Sequence, residues 1–215
     1  MVIDEQCPGP GQGGYPSDCE LTEALRNRAR ERSAPVVRSK AWQELYPRAK
    51  MIKLLLLDVD GVLTDGTLTY SDGKVESTTF HTQDGLGLRL LQDSGVAVGL
   101  ITARSSEAVA RRAADLRFAH LYQGVSDKLA TYETLLQETG LRPPQTAYMG
   151  DDWIDLPLLN RVGLAAAPAN GVAEVRQRVH FVSSRVGGSG AVRELCELLL
   201  EAQSSYGAMF ARYDR

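Results

Sequence analysis

The feature that most constrains this chain is the stretch LLLLDVDGVLTDG, Leu54 to Gly66, in which an apolar run ends in two aspartates one residue apart. Four consecutive leucines, with Ile52 before them, leave no polar face for solvent. They read as a strand buried on both sides, an inner strand of a parallel sheet. Asp58 then stands at the carboxyl end of that strand. Asp60 has the same parity, so both project into the crevice where open α/β sheets place their ligands, while Gly61 lets the backbone turn. Two carboxylates this close repel each other unless a cation lies between them. On these residues alone, a polar strand end with a glycine turn stands as the alternative.

Partners follow in order. A second apolar run, VAVGLIT (Val96 to Thr102), ends in a hydroxyl. Lys128 opens a helical pattern, against the preference of a first turn for acidic residues. The short run TAYM (Thr146 to Met149) leads into Gly150-Asp151-Asp152 and a helix start. This succession of Asp, Asp, Thr, Lys, Asp resembles the haloacid dehalogenase (HAD) phosphatase superfamily. Its motifs are DxD after the first strand, Ser or Thr after the second, Lys near a helix start and GDDxxD after a later strand. The resemblance spans Lys53 to about Val182. It implies an α/β fold with a doubly wound, mostly parallel sheet (HAD-like, Rossmannoid). It also implies Mg²⁺ held by Asp58, Asp151 and the Asp60 backbone carbonyl. Asp58 would be the nucleophile that becomes an aspartyl phosphate and Asp60 the general acid and base. Thr102 and Lys128 would hold the phosphoryl oxygens.

After the aspartates, the β-prone runs Thr67 to Tyr70 and Lys74 to Phe80 flank Ser71-Asp72-Gly73, a hairpin signature. Two strands alone are barely stable in water. Asp58 and Thr102 are 44 positions apart (102 − 58), and Lys128 and Asp151 are 23 apart (151 − 128), so neither gap holds a cap domain. A phosphoryl-transfer site open to bulk water loses electrostatic leverage. The expectation is that the Thr67–Phe80 hairpin associates with its own copies and that a neighbouring subunit helps close the crevice.

HTQDGLGLRLLQ, His81 to Gln92, reads as a helix with Leu86, Leu90 and Leu91 inward, Asp84 as its N-cap, and Gly85 and Gly87 permitting close approach to a ligand. Arg104 and Arg112 are eight residues apart around the helix Ser105 to Leu116, hence on one face, and could fork onto a carboxylate. Through LLLLDVDGVLTDG, FHTQDGLG, LITAR, HLYQG, YMGDDWIDLP and GGSGAVRELCELLL, the stretch Lys53 to Gln203 is similar to the capless 3-deoxy-D-manno-octulosonate 8-phosphate (Kdo 8-phosphate) phosphatases. That similarity implies Mg²⁺-dependent hydrolysis of a sugar-acid phosphate in lipopolysaccharide synthesis, by a cytoplasmic homotetramer built through the hairpins. The implied substrate contacts are Asp60, His81, Thr82, Gln83, Asp84, Gly85, Arg89, Arg104, Arg112 and Lys128. Gln83 departs from the family, some members having Arg there, and this leaves open a nine-carbon, sialic-acid-type 9-phosphate. A Mg²⁺-binding receiver-like signalling domain is the alternative of another class, but there the phosphoacceptor ends the third strand and the Lys ends the fifth.

Further strands are expected at Ala119 to Gln123 and, as the last two edges, at Val162 to Ala166 and His180 to Val182. Helices are expected from a Ser126 cap to Thr139, from Gly150 to near Arg161, from Val172 to Arg178, and after the Gly-rich turn of Val186 to Leu200. The chain divides into an extension, 1–50, with a disordered Gly/Pro-rich start and short helices, a catalytic domain, 51–203, and a tail, 204–215, that would dock on a partner or a neighbouring site. A net charge of −3 offers no basic patch for nucleic acid and no polybasic surface for lipid. No apolar run approaches the ~18 residues of a membrane span, and the N-terminus lacks the apolar stretch of a signal peptide, so the cytoplasm is the default compartment. Cys7, Cys19 and Cys196 are irregularly spaced, arguing against a disulfide framework or a zinc site.

Overall fold

The computed structural model describes residues 16–32, 37–69 and 77–214. The chain forms two compact units, Met1–Ser39 and Lys40–Arg215. In the first, helix α1 (Asp18–Arg32) carries Asp18 and Glu20 in its opening turn, where the helix dipole favours acids. Ser17 and Glu20 exchange hydrogen bonds there, from Ser17 N to Glu20 Oε2 at 2.7 Å and from Glu20 N to Ser17 Oγ at 3.3 Å, which satisfies otherwise orphaned donors. Cys19 is disulfide-bonded, a correction to the expectation from spacing, while Cys196 is free and buried. The expected disordered start lies, up to residue 15, outside the described residues.

The second unit runs α2 (Lys40–Glu44), α3 (Tyr46–Ala49), β1 (Leu54–Leu57), α4 (Thr82–Asp93), β2 (Ala97–Ile101), α5 (Glu107–Leu116), β3 (His120–Tyr122), α6 (Lys128–Thr139), β4 (Thr146–Met149), α7 (Leu156–Leu159), β5 (Leu164–Ala167), α8 (Ala173–Arg176), β6 (Phe181–Val182), α9 (Ala191–Ala202) and α10 (Tyr206–Phe210). Its sheet is six-stranded and wholly parallel, in the order β3-β2-β1-β4-β5-β6. Strand β1 is central, paired with β2 through Leu57 and Leu100 and with β4 through Leu57 and Met149. Its leucines alternate. Leu55 and Leu57 pack with side chains of α4, α5 and α9, whereas Leu54 and Leu56 pack with those of α6, α7 and α8. This two-sided burial is what the unbroken leucine run requires, and it makes the sheet the middle layer of three.

Several boundaries differ from those read in the sequence. Strand β5 is interior, and the edges are β3 and β6. Helix α6 is capped by Asp127, whose carboxylate accepts from Leu129 N and Ala130 N at 3.0 Å, and not by Ser126. After Asp152 the chain makes a 3-10 turn, Trp153–Asp155, before the single turn of α7. In α4 the buried leucines are Leu88, Leu90 and Leu91, while Leu86 is exposed. Lys40 to Lys50 belong to the larger unit rather than to an extension ending at residue 50. Trp42 is buried there, donating to Glu201 Oε2 at 2.8 Å and meeting Phe181 edge to face. Residues 204–214 are not a free tail: α10 packs on α9 with Met209 buried, and Arg212 pairs with Asp93 at 2.6 Å. Of the hairpin, the described ends are joined by an antiparallel bridge between Thr69 and Ser77, and its turn lies outside the described residues. No cap domain is present among the described residues. No described helix is long and apolar enough to cross a membrane.

Candidate active site

Sheet parity decides which side chains meet at the carboxyl end of β1. Asp58 continues the parity of Leu54 and Leu56, so its side chain leaves on the face covered by α6 and α7, the face on which β4 presents Tyr148. Its backbone N–H donates to Met149 O at 3.0 Å, fixing the end of β1 to β4. From α6, the Lys128 ammonium reaches across to Asp58 Oδ2 at 3.0 Å, Asp155 Oδ1 at 2.7 Å and Tyr148 Oη at 3.2 Å. All four side chains are buried. A first-turn lysine, unfavourable for the helix by itself, is held there by two carboxylates.

Asp155 has no free acceptor. Its Oδ2 takes the N–H groups of Asp151 at 2.9 Å and Asp152 at 3.2 Å, and its Oδ1 takes Lys128 and the Tyr148 hydroxyl, the latter at 2.6 Å. It therefore braces the turn that carries Asp151. Asp151 in turn lies against Gly61, where φ is +78° and an added Cβ would stand 2.1 Å from Asp151 Oδ2. Only glycine allows both the left-handed turn and that approach.

Asp58, Asp151 and Asp155 each bring a carboxylate oxygen within 4.8 Å of the others. Burial, then the charge of Asp155, holds Asp58 up at about 6 against the pull of Lys128. Burial, then Asp155 and Asp58, lifts Asp151 to about 7. Burial works against the charge of Lys128, but Asp58 and Asp155 outweigh it and raise its pKa. Three carboxylates face one ammonium, so ionising all of them leaves uncompensated negative charge in a buried place. A hard divalent cation is the natural counter-charge for such oxygen donors. Because Asp155 is saturated, the carboxylates that fit it are Asp58 and Asp151.

The other residues singled out in the sequence fall into two groups. Thr102 is buried directly after β2, with its Oγ1 3.4 Å from Arg104 N. Arg104 precedes α5, and its Nε lies 3.4 Å from Asp60 Oδ2, so Asp60, Thr102 and Arg104 border the same crevice. Arg112 does not share a helix face with Arg104. It donates to His81 O at 3.3 Å and lies over the Phe80 ring. Gly85 admits that guanidinium, since a Cβ there would stand 2.3 Å from Arg112 Nη2. Asp84 is not the N-cap of α4, a place held by His81. Buried, it accepts from Gly190 N at 3.3 Å and Arg193 N at 2.7 Å, capping α9 from another helix. Half-buried His81 and exposed Thr82 and Gln83 form the entry to α4. Arg89 is not brought to the crevice: it lies about 10 Å further along α4, at 1.5 Å per residue, in a groove with Asp93, Asp115, Arg117 and Tyr213.

Sequence reasoning left Tyr148 and Asp155 out of the site. For Asp155 a signal existed, the third acid of GDDxxD, four residues after Asp151. For Tyr148 none did, because an aromatic in an apolar run reads as core.

A family model described as haloacid dehalogenase-like hydrolase matches residues 117–195. The 3-deoxy-D-manno-octulosonate 8-phosphate phosphatase of Escherichia coli K12 is 42% identical over 160 residues, 74% of this chain and 85% of that one. Among solved structures, a probable YrbI family phosphatase from Pseudomonas syringae is 46% identical with a TM-score of 0.79, covering 80% of this chain and 98% of that one. The 3-deoxy-D-manno-octulosonate 8-phosphate phosphatase from Moraxella catarrhalis, in complex with magnesium, phosphate and KDO, is 41% identical with a TM-score of 0.78 over the same shares.

Proposed function

This chain belongs to the 3-deoxy-D-manno-octulosonate 8-phosphate phosphatases of the haloacid dehalogenase-like hydrolases, and from that premise we propose that it hydrolyses the phosphate ester of an eight-carbon sugar acid with Mg²⁺ as cofactor. The observation that carries the reading is the buried junction of Asp58, Lys128, Asp155 and Asp151 at the end of the central strand. Asp58, Asp151 and the Asp60 carbonyl would hold the ion, which neutralises phosphoryl charge when bound.

The remaining work falls to side chains. Asp58 attacks phosphorus in line, and the bond to the leaving sugar oxygen breaks as Asp60 gives that oxygen its proton. Asp60 then takes a proton from water, whose oxygen attacks the aspartyl phosphate. This frees inorganic phosphate and restores Asp58. Lys128 and Thr102 hold the equatorial oxygens, where charge develops. Arg104, whose Nε lies beside Asp60, would fork onto the sugar carboxylate, and His81 to Gln83 would line the approach. A receiver domain is excluded, since Asp58 ends the first strand and Lys128 begins a helix.

Association of copies through the Thr67–Phe80 hairpin, as a cytoplasmic homotetramer, is part of the same proposal. It is supported by the absence of a cap domain among the described residues. Phosphate release from five- to nine-carbon sugar phosphates with Mg²⁺ tests the reading. Preference for the eight-carbon acid is expected, a nine-carbon preference would reassign the substrate, and absence of Mg²⁺-dependent turnover on all of them would overturn the function.

A further inference from the structure

The ammonium of Lys128 has three protons and three acceptors, and the three differ. Two are carboxylates, Asp155 at 2.7 Å and Asp58 at 3.0 Å, and both are bonds between full charges. The third is the Tyr148 hydroxyl at 3.2 Å, a neutral acceptor at the longest distance. That hydroxyl is committed in the other direction as well, giving its own proton to Asp155 Oδ1 at 2.6 Å. It is wholly buried, and burial together with the neighbouring carboxylates pushes its ionisation far up, so it stays a neutral group.

An ammonium that must grip a phosphoryl oxygen has no spare proton here. One of its bonds has to be exchanged. Releasing Asp155, or Asp58 before a cation holds it, would uncover a buried charge, which costs more than releasing a neutral hydroxyl that keeps its bond to Asp155.

We propose that Tyr148 is a positioning residue that acts as a placeholder for the phosphoryl group. Its hydroxyl holds the third proton of Lys128 while the crevice is empty and yields it when a phosphate oxygen arrives. The hydroxyl keeps the ammonium aimed and satisfied in the buried site, and it competes with phosphate for that proton. The inference rests on the phosphatase reading, in which Lys128 touches the transferred group.

Tyr148→Phe keeps the ring and removes the competitor together with its hydrogen bond to Asp155. With Mg²⁺ present, the KM for a phosphate monoester and the inhibition constant of inorganic phosphate are expected to fall together by about threefold to tenfold, the worth of one neutral hydrogen bond. A tyrosine that merely supports the fold would raise both. Constants that rise, or that do not change, overturn the placeholder.

A second measurement needs no variant. In a crystal structure of the wild-type protein with Mg²⁺ and inorganic phosphate, Nζ is expected on a phosphate oxygen and beyond hydrogen-bond reach, about 3.5 Å, of Oη. Nζ still bonded to Tyr148 overturns the proposal. A wild-type protein that neither turns over nor binds phosphate with Mg²⁺ takes the function down with it. One that does both while Tyr148→Phe behaves as wild type removes the placeholder alone.

Discussion

The floor of the crevice and its entry are both rich in polar residues, yet they use them differently. On the floor, Asp58, Lys128, Tyr148 and Asp155 come from two strand ends, the 3-10 turn after the second of them and a helix start, and bond chiefly to one another, with every proton of the ammonium taken. At the entry, Asp84 and Arg112 bond to backbone groups, one capping α9 and the other holding the carbonyl before α4. The floor stores negative charge in a place where a cation completes the balance. The entry ties helices together and leaves His81 to Gln83 at the surface. Density of charge-to-charge contacts, rather than the number of polar residues, marks where the chemistry is.

The largest effect that would break this division is at Asp58. Asp58→Asn keeps the size and the contact with Lys128 but removes the nucleophile. Turnover is expected to fall by about four orders of magnitude or more, with thermal unfolding no earlier than in the wild type because a buried charge has gone. Activity within tenfold of wild type would move the nucleophile elsewhere.

Next comes the pH dependence of the metal-free protein. Asp58 and Asp151 hold protons to about 6 and about 7 in the folded chain, against 3.8 ordinarily. Between those limits the folded state binds more protons than the unfolded one, so stability falls as pH rises from about 4 to about 7. Asp58, raised by about two units and buried, accounts for about 3 kcal/mol of that loss, and the partly exposed Asp151 adds to it less than its full shift would. Mg²⁺ should restore it at neutral pH. Urea unfolding in chelator at pH 5 and pH 8, with and without Mg²⁺, reads this directly, and a metal-free protein more stable at pH 8 would contradict the charge balance of the floor.

The same contrast explains what the sequence disclosed. The strands at 54–57, 97–101 and 146–149 were legible because a two-sided core demands unbroken apolar runs. Asp58, Asp60, Thr102, Lys128 and Asp151 were legible because each stands where such a run ends or a helix begins. Asp84 misled because a carboxylate near a helix start reads as that helix's own cap, while its partners lie 106 and 109 residues away. Arg104 and Arg112 misled because α5 begins only at Glu107, after Arg104, so helical spacing did not relate them. Tyr148 was invisible, since its role exists only through α6 and the turn after β4.

If the entry is built to hold helices together, its variants should lose stability before activity. Asp84→Ala uncaps two N–H groups at the start of α9 and is expected to destabilise the protein by about 2 kcal/mol, at the upper end of a lost N-cap, measured as a lower urea midpoint at unchanged slope. Its KM should move less than threefold in the folded fraction. A tenfold rise in KM with stability intact would put Asp84 on the substrate after all.

The smallest effects separate two arginines that sequence reasoning placed together. Arg104, beside Asp60 at 3.4 Å, borders the crevice, and Arg89 lies two turns down α4 among Asp93, Asp115 and Arg117. Arg104→Ala removes a guanidinium from the crevice wall and should raise KM for a sugar-acid phosphate about tenfold, the worth of one charge-assisted contact. The same change should barely affect p-nitrophenyl phosphate, which has no carboxylate. Arg89→Ala should leave both substrates within about twofold. If Arg89→Ala raised KM for the sugar-acid phosphate and Arg104→Ala did not, the carboxylate would bind at the α4–α5 groove, and the crevice wall would have been drawn on the wrong side of α4.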